Sequence, residues 1–161
     1  MVPYRKVFEE LDKRKIRYLV AGGFAVNFHQ VQRTTLDLDL ILQIETENIL
    51  RFVGLMNELD FQPRVPVRPE DFANSEQRTK WIQEKGMMVF TFIHKKNPLE
   101  VIDVFCDEPM PFKEIWEDRL EVQAFDVTIP VLGKKHLIEL KMQAGRDKDK
   151  YDIEQLKKIP D

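Results

Sequence analysis

The chain has 161 residues, 43% of them hydrophobic, with 25 Lys and Arg against 28 Asp and Glu and a single cysteine. That apolar share builds a core and excludes a disordered chain, while the lone Cys106 excludes an internal disulfide and points to a reducing compartment. A net charge of −3 gives no general pull toward nucleic acid, no apolar run approaches the roughly 18 residues of a membrane span, and residues 1–6 lack the apolar stretch of a signal peptide, so a cytoplasmic location without a membrane partner is expected.

Residues 1–15 read as a helix, with Val7, Leu11 and the following Ile16 about one turn apart among charges. Tyr18-Leu19-Val20-Ala21 is a short apolar run stopped by Gly22-Gly23, which suits a buried strand. Residues 24–30 read as a short helix after the glycines. Residues 36–42 alternate strictly, so a strand with Leu36, Leu38 and Leu40 in the core is expected. From Glu45 the period changes, and Ile49, Phe52, Val53, Met56 and Leu59 share one helix face.

Three prolines make residues 62–70 a connector or edge segment. Residues 75–85 read as a helix capped by Gly86. Two β-rich runs, 87–94 and 99–105, flank Lys95-Lys96-Asn97-Pro98 as an antiparallel hairpin. Short strands follow at 121–124 and 127–131, then helices at 134–143 and 147–158, split at Gly145. Strands and helices mix without a βαβ rhythm, so the fold class is α+β with a mixed sheet.

The sharpest chemical feature is Asp37-Leu38-Asp39. Alternate strand residues share a face, so both carboxylates project together, and their repulsion is relieved by a cation or by a raised pKa. A hard divalent ion with oxygen ligands answers that arrangement. Asp103, on the run 99–105, supplies a third carboxylate if its strand neighbours the first. Gly22-Gly23 at a strand-to-helix turn lets backbone N–H groups approach a phosphate. The second D-x-D, Asp147-Lys148-Asp149, reads as a solvated helix turn, and the basic residues of 134–150 read as a solvated helix face. His29, His94 and His136 have no metal-ligand spacing with one another or with Cys106. Trp81 and Trp116 are expected to pack rather than stack on bases.

Together, Gly22-Gly23, the interval 24–36, Asp37-Leu38-Asp39 and the later Asp103 resemble the nucleotidyltransferase superfamily with the DNA polymerase β-like core. Arg33-Thr34-Thr35-Leu36-Asp37 resembles the R-x-T-x-D version in small bacterial nucleotidyltransferases related to abortive-infection toxins. Residues 136–149 are similar to their L-x-x-x-K-x-x-A-x-R-x-K-D run. Two positions depart from the pattern: Gly23 stands where many members have serine, and Gln30 where many have glycine.

The resemblance implies one domain over residues 1–161: a mixed sheet flanked by helices (core about 16–131) with a short C-terminal helical part (about 133–158). It implies transfer of a nucleoside monophosphate from an NTP to an acceptor hydroxyl on RNA such as tRNA, on protein or on a small molecule. Asp37, Asp39 and Asp103 would hold Mg²⁺ or Mn²⁺, and Asp103 would also take the acceptor proton. Gly22, Gly23, Arg33, Thr35 and Lys141 would contact the nucleotide, with Arg33 expected chiefly to brace Asp37 or Asp39. The alternative is a non-catalytic member that binds nucleotide or a protein partner in a toxin–antitoxin or defence pair.

Overall fold

Strand β1 (Tyr18–Ala21) is apolar at all four positions, and all four are buried. A strand covered on both faces belongs in the middle of a sheet. The computed structural model, which describes residues 4–161, puts it there. The other strands are β2 (Leu38–Leu42), β3 (Phe61–Pro63), β4 (Val89–His94), β5 (Val101–Phe105), β6 (Leu120–Ala124) and β7 (Val127–Val131). They form one seven-stranded mixed sheet in the order β3-β4-β5-β2-β1-β7-β6. Both β2–β5 and β1–β7 are parallel, and the other neighbours are antiparallel.

Helices α1 (Arg5–Lys13), α2 (Gly22–Phe28), α3 (Thr46–Glu58), α4 (Ser75–Lys85), α5 (Phe112–Glu117), α6 (Lys134–Ala144) and α7 (Asp147–Lys157) flank the sheet. Helix α3 buries Ile49, Phe52, Val53, Leu55 and Met56, the stripe its period requires. Helix α4 starts where the Asn74 side chain accepts the Gln77 N–H at 3.1 Å, and it ends at Gly86 with φ of 61°. Its Trp81 stacks on Phe90 at 5.2 Å between ring centres, and Phe72 lies 5.0 Å from the same ring. Phe72 is brought there by a 3₁₀ turn, Pro69–Ala73. That turn has no expectation in the sequence, because it is too short to show a period, while α5 is the helix expected around Trp116.

The first helix covers Arg5–Lys13 rather than 1–15; residues 1–3 lie outside the described residues. Strand β2 begins at Leu38, two residues later than expected, and Leu36 is 61% exposed rather than in the core. Pairing with β1 ends at Ala21↔Asp39, because the chain turns into α2 at Gly22. Upstream of Asp39, β2 therefore has no β1 partner, and the Leu36 carbonyl instead accepts from the Tyr4 hydroxyl at 2.6 Å. Among the described residues, no helix is long and apolar enough to cross a membrane.

Candidate functional site

The parallel register of β2 and β5 sets Asp39 directly beside Asp103, on strands separated by about 4.8 Å. Asp37 precedes β2 on an exposed loop. The three carboxylates line one cavity of about 590 Å³ together with Gly22, Gly23, Arg33, Thr35 and Lys141. All eight residues singled out in the sequence thus face the same space. Thr34, Arg146 and Lys148 join them there.

Burial pushes the Asp39 carboxyl up from its ordinary 3.8 to about 7, and the charges of Asp103 and Asp37 push the same way against Lys141 and Arg146. Burial also raises Asp103; Thr91 and Arg64 oppose that rise and Asp37 adds to it. The Thr91 hydroxyl donates to Asp103 Oδ1 at 2.6 Å, across the β4–β5 pair Thr91↔Asp103. Crowded, partly desolvated carboxylates are the donor set a hard divalent cation neutralises. Among the described residues, no three acidic, histidine or cysteine side chains converge tightly enough to enclose a metal ion. Asp39 and Asp103 lie at paired positions of neighbouring strands, and Asp37 is on the exposed loop before β2.

Gly22 opens α2 with φ of +60°, and a Cβ there would overlap the Asp39 carboxylate. The glycine is required twice, by the left-handed backbone and by the side chain of its neighbour. Gly22→Ala is expected to cost on the order of 1–3 kcal/mol in stability and to displace Asp39, read by urea unfolding and by a shift of the Asp39 carboxyl carbon resonance. Unchanged values for both would remove the requirement. At Gly23 the constraint is the passing loop: a Cβ would stand 2.5 Å from Thr35 Oγ1.

Three contacts pin the loop that carries Thr35 and Asp37. Asn27 Oδ1 accepts the Arg33 N–H at 3.0 Å. The Tyr4 hydroxyl joins the Leu36 carbonyl to the backbone of Val101 on β5, while its ring packs edge-to-face on Phe24 of α2. Tyr4 thereby ties the glycine helix, the Asp37 loop and the Asp103 strand together. The third contact corrects an expectation: Arg33 pairs with Asp152 of α7 at 2.6 Å and not with Asp37 or Asp39.

The C-terminal helices depart further from the solvated face expected of them. Lys141 is 5% exposed and lies 3.4 Å from Asp149 and 2.9 Å from Asp152. Asp149, expected on a solvated turn, is fully buried and also holds Arg146 at 2.8 Å. Two buried aspartates therefore hold Arg33, Lys141 and Arg146 along the cavity wall. The missed signal is a stripe: Asp149, Asp152 and Leu156 sit at i, i+3 and i+7 of α7, and all three are buried. An amphipathic helix with carboxylates in its inward row has cations waiting across from it.

The whole architecture has known counterparts. The lincosamide antibiotic adenylyltransferase LnuA in its lincomycin-bound form superposes with a TM-score of 0.64 over 99% of both chains, at 15% identity. The chain has the nucleotidyltransferase fold. A nucleotidyltransferase from Thermotoga maritima matches at TM-score 0.59 and 12% identity, over 94% of this chain and 88% of that one. ANT(2″)-Ia in complex with adenylyl-2″-tobramycin matches at 0.60 and 14%, over 94% and 83%. No protein-family model matches the sequence, and no curated protein is detectably similar to it. With identities this low, the likeness lies in the course of the backbone.

Proposed function

We propose that the chain transfers a nucleoside monophosphate from an NTP to a hydroxyl of a small-molecule acceptor. The observation that carries this reading is the single cavity in which Asp37, Asp39 and Asp103 face Gly22 and Gly23, with Arg33, Lys141, Arg146 and Lys148 beside them. Phosphoryl chemistry asks for little covalent help from a protein; it asks for charge neutralisation and alignment. The first turn of α2 presents backbone N–H groups to the triphosphate, since neither glycine has a side chain to intervene. Lys148 and Arg146 reach phosphate oxygens from the open side, and Asp103 accepts the proton of the acceptor hydroxyl. Arg33 and Lys141, shared with Asp152, hold positive potential against the wall without moving.

The crowded carboxylates fit a divalent cation of the Mg²⁺ or Mn²⁺ type, which Asp39 and Asp103 would hold together with Asp37. Such an ion supplies charge neutralisation of the phosphates. A small-molecule acceptor is preferred to RNA or protein because a lincosamide adenylyltransferase spans the same backbone from end to end, and an adenylylated aminoglycoside occupies another of the structural counterparts.

The test is calorimetric titration of each NTP with Mg²⁺ and then with EDTA. Binding of at least one NTP is expected with the metal, lost in EDTA and lost in Asp103→Asn. No NTP binding under any condition would overturn the reading in favour of a non-catalytic partner in a toxin–antitoxin or defence pair.

A further inference from the structure

Beside the carboxylate cavity lies a second one of about 550 Å³, walled by Ile82, Met88, Phe105, Pro109, Leu137 and Leu140. The two are continuous: Gly22, Val89, Phe105, Lys141 and Arg146 line both. Their chemistry is opposite. The first is lined by aspartates and basic side chains; the second is predominantly apolar, and its charged lining is mixed, Asp107 and Glu108 together with Lys141 and Arg146. Met88 is 69% exposed on its wall, an apolar side chain that a ligand would cover.

We propose that this second cavity binds the acceptor, a neutral or basic small alcohol with an apolar body; this rests on the nucleotidyl-transfer reading above. Three observations lead there. Arg33 and Lys148 line only the first cavity, and Asp107 and Glu108 line only the second, so the balance of charge favours the triphosphate in the first. The volume suits a drug-sized molecule, whereas a nucleobase alone would leave much of it empty. Phe105 stands two residues beyond Asp103 on the same face of β5, roughly 6.6 Å along the strand. An acceptor packed on Phe105 therefore brings a hydroxyl to Asp103. Its oxygen attacks the α-phosphorus, the new P–O bond forms as the bond to the pyrophosphate oxygen breaks, pyrophosphate leaves with that electron pair, and the proton passes to the Asp103 carboxylate.

The experiment compares the parent with Met88→Glu, an exposed position where folding is not at stake, and with Leu140→Gln. The probes are ATP, inorganic triphosphate, and 3-phenylpropanol and glycerol as acceptors. Affinities for ATP and triphosphate are expected to stay unchanged in Met88→Glu, while KM for 3-phenylpropanol rises about tenfold or more and KM for glycerol does not move. If both variants weaken ATP but not triphosphate, the cavity holds the nucleobase and the proposal falls. It falls equally if the parent adenylylates RNA or glycerol no less readily than 3-phenylpropanol. Failure of the underlying reading looks different: the parent then binds no NTP. In that case, a shift of the Met88 methyl resonance by 3-phenylpropanol keeps the cavity's ligand class, and no shift removes that too.

Discussion

Asp39→Asn is expected to lower Mg²⁺-dependent turnover by about 100- to 1000-fold or more while raising the stability of the metal-free protein at pH 8. Asp39 sits between β1 and β5 with Asp103 at its side, and its carboxyl is pushed up from 3.8 to about 7, first by burial and then by its acidic neighbours. In the unfolded chain the same group ionises at the ordinary value. Between about pH 4 and pH 7 the native state therefore holds a proton that the unfolded state has lost, and stability falls as the pH rises through that window. Above it the full penalty stands, on the order of 2–4 kcal/mol. Below pH 4 both states are protonated and the penalty vanishes. Asparagine carries no charge at any pH, so the variant and the parent should match at pH 4 and diverge at pH 8, the variant melting higher. Thermal melts in EDTA at the two pH values measure this directly. A parent as stable as the variant at pH 8 would mean that Asp39 is not held under charge stress. Mg²⁺ should then close the gap by stabilising the parent alone, since binding to the native state adds to its stability.

The parts of this protein that could be read from its sequence are those whose signal is local. The alternation of β2, the helical stripe of α3, the hairpin across residues 95–98 and the cap at Gly86 each follow from a period or a turn residue within a dozen positions. Asp39 was legible for a related reason: a carboxylate inside an apolar strand is costly, and that cost shows in a short window, whereas Asp37 lies on the exposed loop before β2 and Asp103 comes from a separate strand. What stayed hidden depends on partners far along the chain. Nothing near Arg33 points to Asp152, which lies 119 residues away. Nothing near Leu36 announces that a hydroxyl from residue 4 takes its carbonyl in place of a strand partner. Asp149 departs from expectation because a D-x-D on a charged helix looks solvated; only the helix's inward row, with Leu156 on it, distinguishes the buried aspartate from Asp147 two residues before it.

That same row makes Lys141 the position where structure and chemistry are hardest to separate, and a pair of variants separates them. Lys141→Met removes a 5%-exposed ammonium that lies between Asp149 and Asp152. The aspartates keep Arg146 and Arg33 respectively, but each loses a partner inside the protein. Breaking a buried pair from one side leaves a carboxylate without its compensation, and the expected loss is about 3 kcal/mol in urea unfolding. Arg33 and Arg146, no longer sharing those carboxylates with a third cation, should be drawn more tightly toward Asp152 and Asp149 and away from the cavity, so nucleotide affinity falls as well. Lys148→Met is the control. Lys148 lines the same cavity but is exposed, and losing it should leave stability within about 0.5 kcal/mol while weakening Mg²⁺-nucleotide binding by about tenfold, the value of one screened phosphate contact. If Lys141→Met left stability unchanged, the buried network would not be holding the cavity wall. If Lys148→Met left affinity unchanged while Lys141→Met reduced it, the phosphates would rest on the network's own cations and not on those at the rim.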